Sequence, residues 1–450
     1  MSWLRRYRIR LYLRNSIWVF PVLSIVAGLV TVRLLSHFDR TFGWELDISR
    51  ETARAIMGTV ASSMFTLMVL VCSAVLLAVQ LASAQLTPRI IILIYRHPFR
   101  KIALAVFAFT FTFSVGVLPR LEGAVPTLTV YFAAYGFLLN LALFLFFIDG
   151  MGKTLRPSSA LRSIAMLGRE VIRTVYPRLL DEQHTGPPEP IKCLEGEPRR
   201  IILNAVDGAV LAFDLKGLVS LAEQSNCLIE LAPEVGDFVA AGDPLFRIFE
   251  GGEELSEDDL RNRVALGPER TMEQDPMFAF RIMVDIASKA LSPAINDPTT
   301  AVLAIDQIHH LLRDVGSRDL AEGLETDGAG RLRLVYRTPN WEDFVHLAVT
   351  EVRQYGRDSI QVMRRLRAML ENLIETLPGR RAPVLRKELS LLERSSKRTF
   401  PDVDDQTLAE ISDLQGMGGS KDARRQRERA QADGAGSRGF YEPHGIMKNL

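Results

Sequence analysis

Across 450 residues the chain carries 54 Lys+Arg against 53 Asp+Glu and is 48% hydrophobic, an average that would suit a soluble protein. The average conceals two unlike parts: residues 1–152 hold 14 basic and 6 acidic side chains, the remainder 40 and 47. A mildly acidic second part excludes nucleic acid as a partner, which needs a basic footprint. Cys72, Cys193 and Cys227 form no close pair, which excludes a disulfide framework and a CxxC site and suits a reducing compartment.

A bilayer core of about 30 Å requires roughly 20 apolar helical residues, because unpaired backbone groups in hydrocarbon cost several kcal/mol each. Four segments meet that length: Ser16 to Leu35, Ala55 to Leu86, Ile102 to Leu118 and Thr127 to Ile148. The first follows an Arg-rich stretch and lacks a small-residue cleavage site, so it reads as a retained helix. The third is strongly apolar through Phe107, Phe109, Phe111 and Phe113 and is closed by Pro119. The predicted fold class is therefore a multi-pass α-helical membrane protein of about four transmembrane helices, followed by a C-terminal cytoplasmic α+β region.

Short-loop charges predict the orientation. Arg5, Arg6, Arg8, Arg10 and Arg14, then Arg89, Arg96, Arg100 and Lys101, then Lys153, Arg156 and Arg162 fall on one side of four spans. The opposite loops carry Arg40, Arg50 and Arg54 diluted by Asp39, Glu45, Asp47 and Glu51, and then Arg120 with Glu122. Both termini are expected to be cytoplasmic.

At 1.5 Å per residue, a second helix of roughly 30 residues reaches about 45 Å and must tilt or project from the bilayer. Ser62, Thr66, Ser73 and Gln80 fall at spacings of four, seven and seven on one of its faces, with Gly58 extending the row. Such a row suits either a small-and-polar seam between helices or the lining of a pore. No Asp, Glu, Lys or Arg lies deep in any span, which leaves a proton relay without support. Asn140 reads as an interhelical hydrogen-bonding group. Between spans two and three, Thr87-Pro-Arg, Ile90 to Tyr95 and Arg96-His-Pro-Phe-Arg form a short amphipathic segment. It is expected to couple the bundle to lipid headgroups or to the soluble part.

Ser158 to Leu180 has a helical period and continues as a connector, broken by Thr185-Gly-Pro-Pro-Glu-Pro. Strand signals then follow at Gly208 to Phe213 and Cys227 to Leu231, around a short helix at Lys216 to Gln224. Gly236-Asp-Phe-Val-Ala-Ala-Gly-Asp-Pro-Leu resembles the hairpin of biotinyl/lipoyl-like modules over about a dozen residues. No lysine stands at its tip, so no cofactor is expected. After an acidic loop, Asp275-Pro276 and Asp297-Pro298 each open a helix, with Asp as cap and Pro in the first turn. Arg281, Asp285 and Lys289 can pair along one exposed face. The polar corner Ser292, Asn296, Asp297, Thr299 and Thr300 is the candidate ligand or partner site, with capping and turn geometry as the alternative reading.

His309 and His310 lack a second ligand pair, and no metal site is expected. Leu332 to Tyr336 reads as a strand and Trp341 to Leu377 as one or two helices, with Arg364, Arg365 and Arg367 as a solvated face. The boundaries are 1–152 for the membrane domain, 153–190 for connector and linker, 191–255 for a β-rich module, 256–400 for a helical domain and 401–450 for a largely disordered tail.

Ala290-Leu-Ser-Pro-Ala-Ile-Asn-Asp-Pro-Thr-Thr-Ala301, with Gln274-Asp-Pro, Asp285-Ile-Ala, Pro88-Arg89 and the Gly236-Asp-Phe-Val hairpin, resembles the signature of a bacterial family of predicted membrane proteins, domain of unknown function 2254. The likeness runs from the first span to about residue 370. It implies a shared fold and a bacterial inner-membrane location, and carries no activity. The chain has no GxSxG, HExxH, P-loop or dinucleotide glycine pattern, so no enzyme is expected. The expected role is a membrane module with a cytoplasmic sensing domain, channel- or transport-related, with a membrane-anchored scaffold as the alternative. The expected partners are the lipid bilayer, further copies in a homo-oligomer, and a cytoplasmic protein.

Overall fold

The computed structural model describes residues 2–42, 49–122, 127–180, 196–320 and 323–418. The Thr185–Pro190 linker, Cys193 and residues 419–450 lie outside them. Four helices are long and apolar enough to cross a membrane, spanning Val19–Asp39, Arg50–Gln85, Pro98–Leu121 and Leu128–Thr154. They belong to α2 (Val19–Phe42), α3 (Arg50–Gln85), α5 (Pro98–Val117) and α6 (Thr127–Thr154). Ser49 caps α3 locally, accepting from Thr52 N, whereas α6 is capped from α2, where Asp39 accepts from Leu128 N and Thr129 N. Inside the bundle Asn140 donates to Thr110 Oγ1 at 2.8 Å, joining α6 to α5 as its isolated position suggested.

The basic N-terminal stretch is itself a helix, α1 (Trp3–Asn15). Its Trp3, Leu4, Tyr7 and Leu11 recur on one face and pack against Ala209, Leu211 and Ala265 of the C-terminal region. Lys101 Nζ, buried in the first turn of α5, donates to the carbonyls of Leu13 and Arg14 at the end of α1. A short helix α4 (Ile91–Arg96) connects α3 to α5. The N-terminus, this connection and the C-terminal region therefore gather at one end of the bundle, the arrangement that an even number of crossings produces.

Beyond α6, α7 (Pro157–Val175) joins α10 (Pro276–Ala290), α11 (Pro298–Gly316), α12 (Trp341–Tyr355), α13 (Ile360–Thr376) and α14 (Ala382–Thr399) around one apolar core. Two sheets adjoin it. One is ordered β1 (Arg200–Leu203), β5 (Pro244–Phe249), β3 (Leu228–Leu231), β8 (Leu332–Tyr336), β7 (Gly323–Thr326); the other is β4 (Phe238–Val239), β2 (Gly208–Phe213), β6 (Val264–Gly267). Helices α8 (Leu215–Gln224) and α9 (Glu257–Arg261) connect their strands. The β-structure is not confined to 191–255. β6 pairs with β2, and β8 arrives after α11 to lie parallel to β3, Ile229 opposite Leu334. Partners so far apart in sequence leave no local signal.

The Arg364, Arg365 and Arg367 face is not solvated. Arg364 is 1% exposed and donates to the carbonyls of Ile411 and Gly418, Arg365 pairs with Asp306 at 2.6 Å, and Arg367 binds Glu371 and Glu393. Residues 401–418, assigned to the tail by composition, include α15 (Val403–Ala409) and a loop gathered around buried Asp413, whose carboxylate accepts from the N–H groups of Gln415, Gly416 and Gly418. Gly-rich composition there reflects turn geometry: Gly416 and Gly418 have φ of +70° and +79°.

Candidate functional site

The most heavily built polar site is the junction where the bundle meets the helical core. Leu86 and Ile90, in the segment leaving α3, are buried within the core of the C-terminal region. Around this plug, Arg89 pairs with Asp285 and lies over the Phe278 ring, 5.7 Å from its centre. Lys289 Nζ donates to the Ser83 carbonyl at 2.7 Å, in the last turn of α3. Asp285 also accepts from Arg281 Nε at 2.7 Å, and Arg281 donates to Glu351 of α12 from both terminal nitrogens, Nη1 and Nη2, at 2.6 Å. That pair raises the Arg281 pKa and lowers that of Glu351. The Arg281, Asp285 and Lys289 row is thus a docking face rather than an isolated solvent-facing stripe.

A second cluster ties α1 and α4 to the strand-to-helix turn before α10. Glu273 accepts from Arg96 at 2.8 Å and Arg14 at 3.0 Å, and Arg96 donates to Asn15 at 2.8 Å. Next in sequence, the Gln274 side chain exchanges two hydrogen bonds with the Phe213 backbone, fixing β2 to the start of α10. Asp275, 2% exposed, caps α10 through Phe278 N at 3.1 Å and stands 3.1 Å from Arg270. Burial pushes its carboxyl up to about 6, against the opposing pull of Arg270 and of first-turn N–H groups.

The Ser292–Thr300 corner is a helix-to-helix turn in which Ser292, Asp297 and Thr300 are hydrogen-bonded locally. Asp297 accepts from Thr300 N at 3.0 Å and from the Thr300 hydroxyl, Ser292 Oγ donates to the Lys289 carbonyl, and Asn296 takes the left-handed φ of +47°. Asn296 and Thr299 are exposed. Ser62, Thr66, Ser73 and Gln80 lie on the exposed face of α3, opposite the Met57, Met64, Val71 and Ala78 row that packs into the bundle. The three hydroxyls donate to α3's own carbonyls. His309 bonds Asn372 of α13 at 2.9 Å, and among the described residues no group of three His, Cys, Asp or Glu could hold a metal.

The family model described as Predicted membrane protein (DUF2254) matches residues 14–372, four-fifths of the chain. The chain belongs to this family. Among similar chains are the uncharacterized protein Mb1321c of Mycobacterium bovis and the uncharacterized protein Rv1290c of Mycobacterium tuberculosis. Each is 28% identical over 428 residues, covering 90% of this chain and 80% of the relative. No solved structure matches.

In this DUF2254 protein, two of the residues that carried the family resemblance meet at the junction, Arg89 and Asp285, while Gln274-Asp-Pro sets the α10 start in the neighbouring cluster. Ile90 and Arg96 belong to the segment expected to couple the bundle to lipid headgroups or to the soluble part, and they contact the C-terminal region, whereas Glu273 and the plugging role of Leu86 carry no such expectation. Two apolar residues flanking Thr87-Pro-Arg, where the helix pattern ends, were the available signal.

Proposed function

We propose that the protein is a non-enzymatic regulatory module of the inner membrane, in which the C-terminal domain biases the helix bundle through the α3–α10 junction. One observation carries this reading: the last turn of α3 continues directly into the core of that domain, with Leu86 and Ile90 inside it and Lys289 on the Ser83 carbonyl. A shift of α10 is then transmitted to the longest span without an intervening flexible joint. The basic character of α1, the α3–α5 connection and the residues after α6 supports a cytoplasmic placement of the domain and both termini.

The outward polar row of α3 supports a homo-oligomer, with copies meeting along Ser62, Thr66, Ser73 and Gln80 and a polar path between them. Reconstituted full-length protein is then expected to give flux or conductance that changes with Ser73→Leu or Gln80→Leu. A specific observation favours the alternative of a membrane-anchored scaffold that holds a cytoplasmic protein: the row's hydroxyls are satisfied on their own helix and line nothing within one chain. Vesicles holding correctly assembled protein yet passing no ion or solute would leave the scaffold reading, and a partner recovered through the C-terminal domain would support it.

A further inference from the structure

Where α1 meets the start of α2 and α5, the bundle carries an open crevice of about 750 Å³. Its floor is apolar, made by Ile9, Leu13, Phe20, Pro98 and Ile102, and its rim is cationic. Arg6, Arg10 and Arg14 recur every four residues and so form one row of α1 along that rim, with Arg96 and Lys101 behind it. The charges are not equally free. Lys101 is committed to the Leu13 and Arg14 carbonyls, and Arg14 and Arg96 share the single carboxylate of Glu273. Arg6 and Arg10 are exposed and have no acidic partner among the described residues.

The level of the crevice decides what can fill it. It lies at the end of the spans, between the first turns of α2 and α5, where hydrocarbon gives way to headgroups. Tyr12 and Trp18, 54% and 53% exposed with ring centres 6.1 Å apart, stand beside it as an interfacial aromatic pair. Ile9 and Leu13 of the floor are about two-fifths exposed. An ion such as inorganic phosphate would use only the rim, whereas an amphiphile uses rim and floor together.

We propose that this crevice is a binding site for an anionic phospholipid, its phosphate held by Arg6 and Arg10 and its acyl chain laid along Leu13, Phe20 and Ile102. Basic pockets beside membrane helices bind anionic headgroups through this combination. Bound there, the lipid joins α1, which touches the β2–β6 sheet, to the first turns of α2 and α5.

Native mass spectrometry of the full-length protein in detergent, titrated with phosphatidylglycerol or phosphatidylcholine, tests this. The expected result is retention of one phosphatidylglycerol in preference to phosphatidylcholine, weakened roughly tenfold by Arg6→Ala with Arg10→Ala. Arg5→Ala with Arg8→Ala, which removes equal charge from outside the row, is expected to leave retention intact. Equal retention of the two lipids, equal loss in both double variants, or displacement by millimolar inorganic phosphate would each overturn the proposal. The last of these would make the rim a free-anion site.

Discussion

Lys289 Nζ stands 2.7 Å from the Ser83 carbonyl oxygen, so a side chain of the helical core closes the last turn of the longest membrane helix. The final carbonyls of any helix lack intrahelical donors and carry the negative end of its dipole, and a lysine ammonium answers both. Lys289→Met is expected to destabilise the full-length protein by about 1–2 kcal/mol, read as a lower melting temperature in detergent. Ser83→Ala should leave it unchanged, because the contact is to backbone. Equal effects would place the interaction elsewhere.

Asp275 makes stability depend on pH. Its carboxyl sits at about 6 in the folded protein against an ordinary 3.8, chiefly through burial. The native state thus holds this proton more tightly than the unfolded chain does, so the contribution is fully present below pH 3.8 and is lost as pH rises through about 6. Between pH 4.5 and 7 the loss is on the order of 2 kcal/mol. Asp275→Asn keeps the capping oxygen but cannot ionise, and its melting temperature should fall less than the wild type's over that window. Parallel curves would contradict the assignment.

Asp413 organises the end of the described chain. Asp413→Ala leaves three N–H groups without their carboxylate, which costs about 2–3 kcal/mol locally. Proteolysis within 401–418 should rise at least tenfold while the α7–α14 core stays intact. An unchanged digestion pattern would mean that this segment does not rely on Asp413.

The outward row of α3 makes a prediction of no effect. Ser62→Leu, Thr66→Leu and Ser73→Leu exchange hydroxyls bonded to their own helix for apolar groups on an exposed face. The stability of a single chain should move by less than about 0.5 kcal/mol. A larger loss in the assembled protein, absent from the separated chain, would support the contact between copies along this row.

Local chemistry made much of this legible in sequence. The four spans follow from apolar length, and the starts of α10 and α11 from their Asp-Pro pairs, because both signals lie within a few residues. β2 and β8 were read at their observed limits, from Gly208 to Phe213 and from Leu332 to Tyr336. What stayed hidden depends on distant partners. Nothing near Arg364 indicates that the carbonyls of Ile411 and Gly418 will bury it. Nothing near Trp3 indicates the sheet on which α1 rests. The row from Arg281 to Lys289 was visible as a pattern, but its acceptors, Ser83 on α3 and Glu351 on α12, lie some 200 and 70 residues away.

If bundle and domain act as one unit, Arg89 and Asp285 are energetically coupled across the junction, which a double-mutant cycle measures. Arg89→Ala, Asp285→Ala and the double variant would be unfolded in detergent as full-length proteins. A coupling energy of about 1 kcal/mol or more is expected, as for other groups in contact. Strict additivity of the two single effects would contradict it.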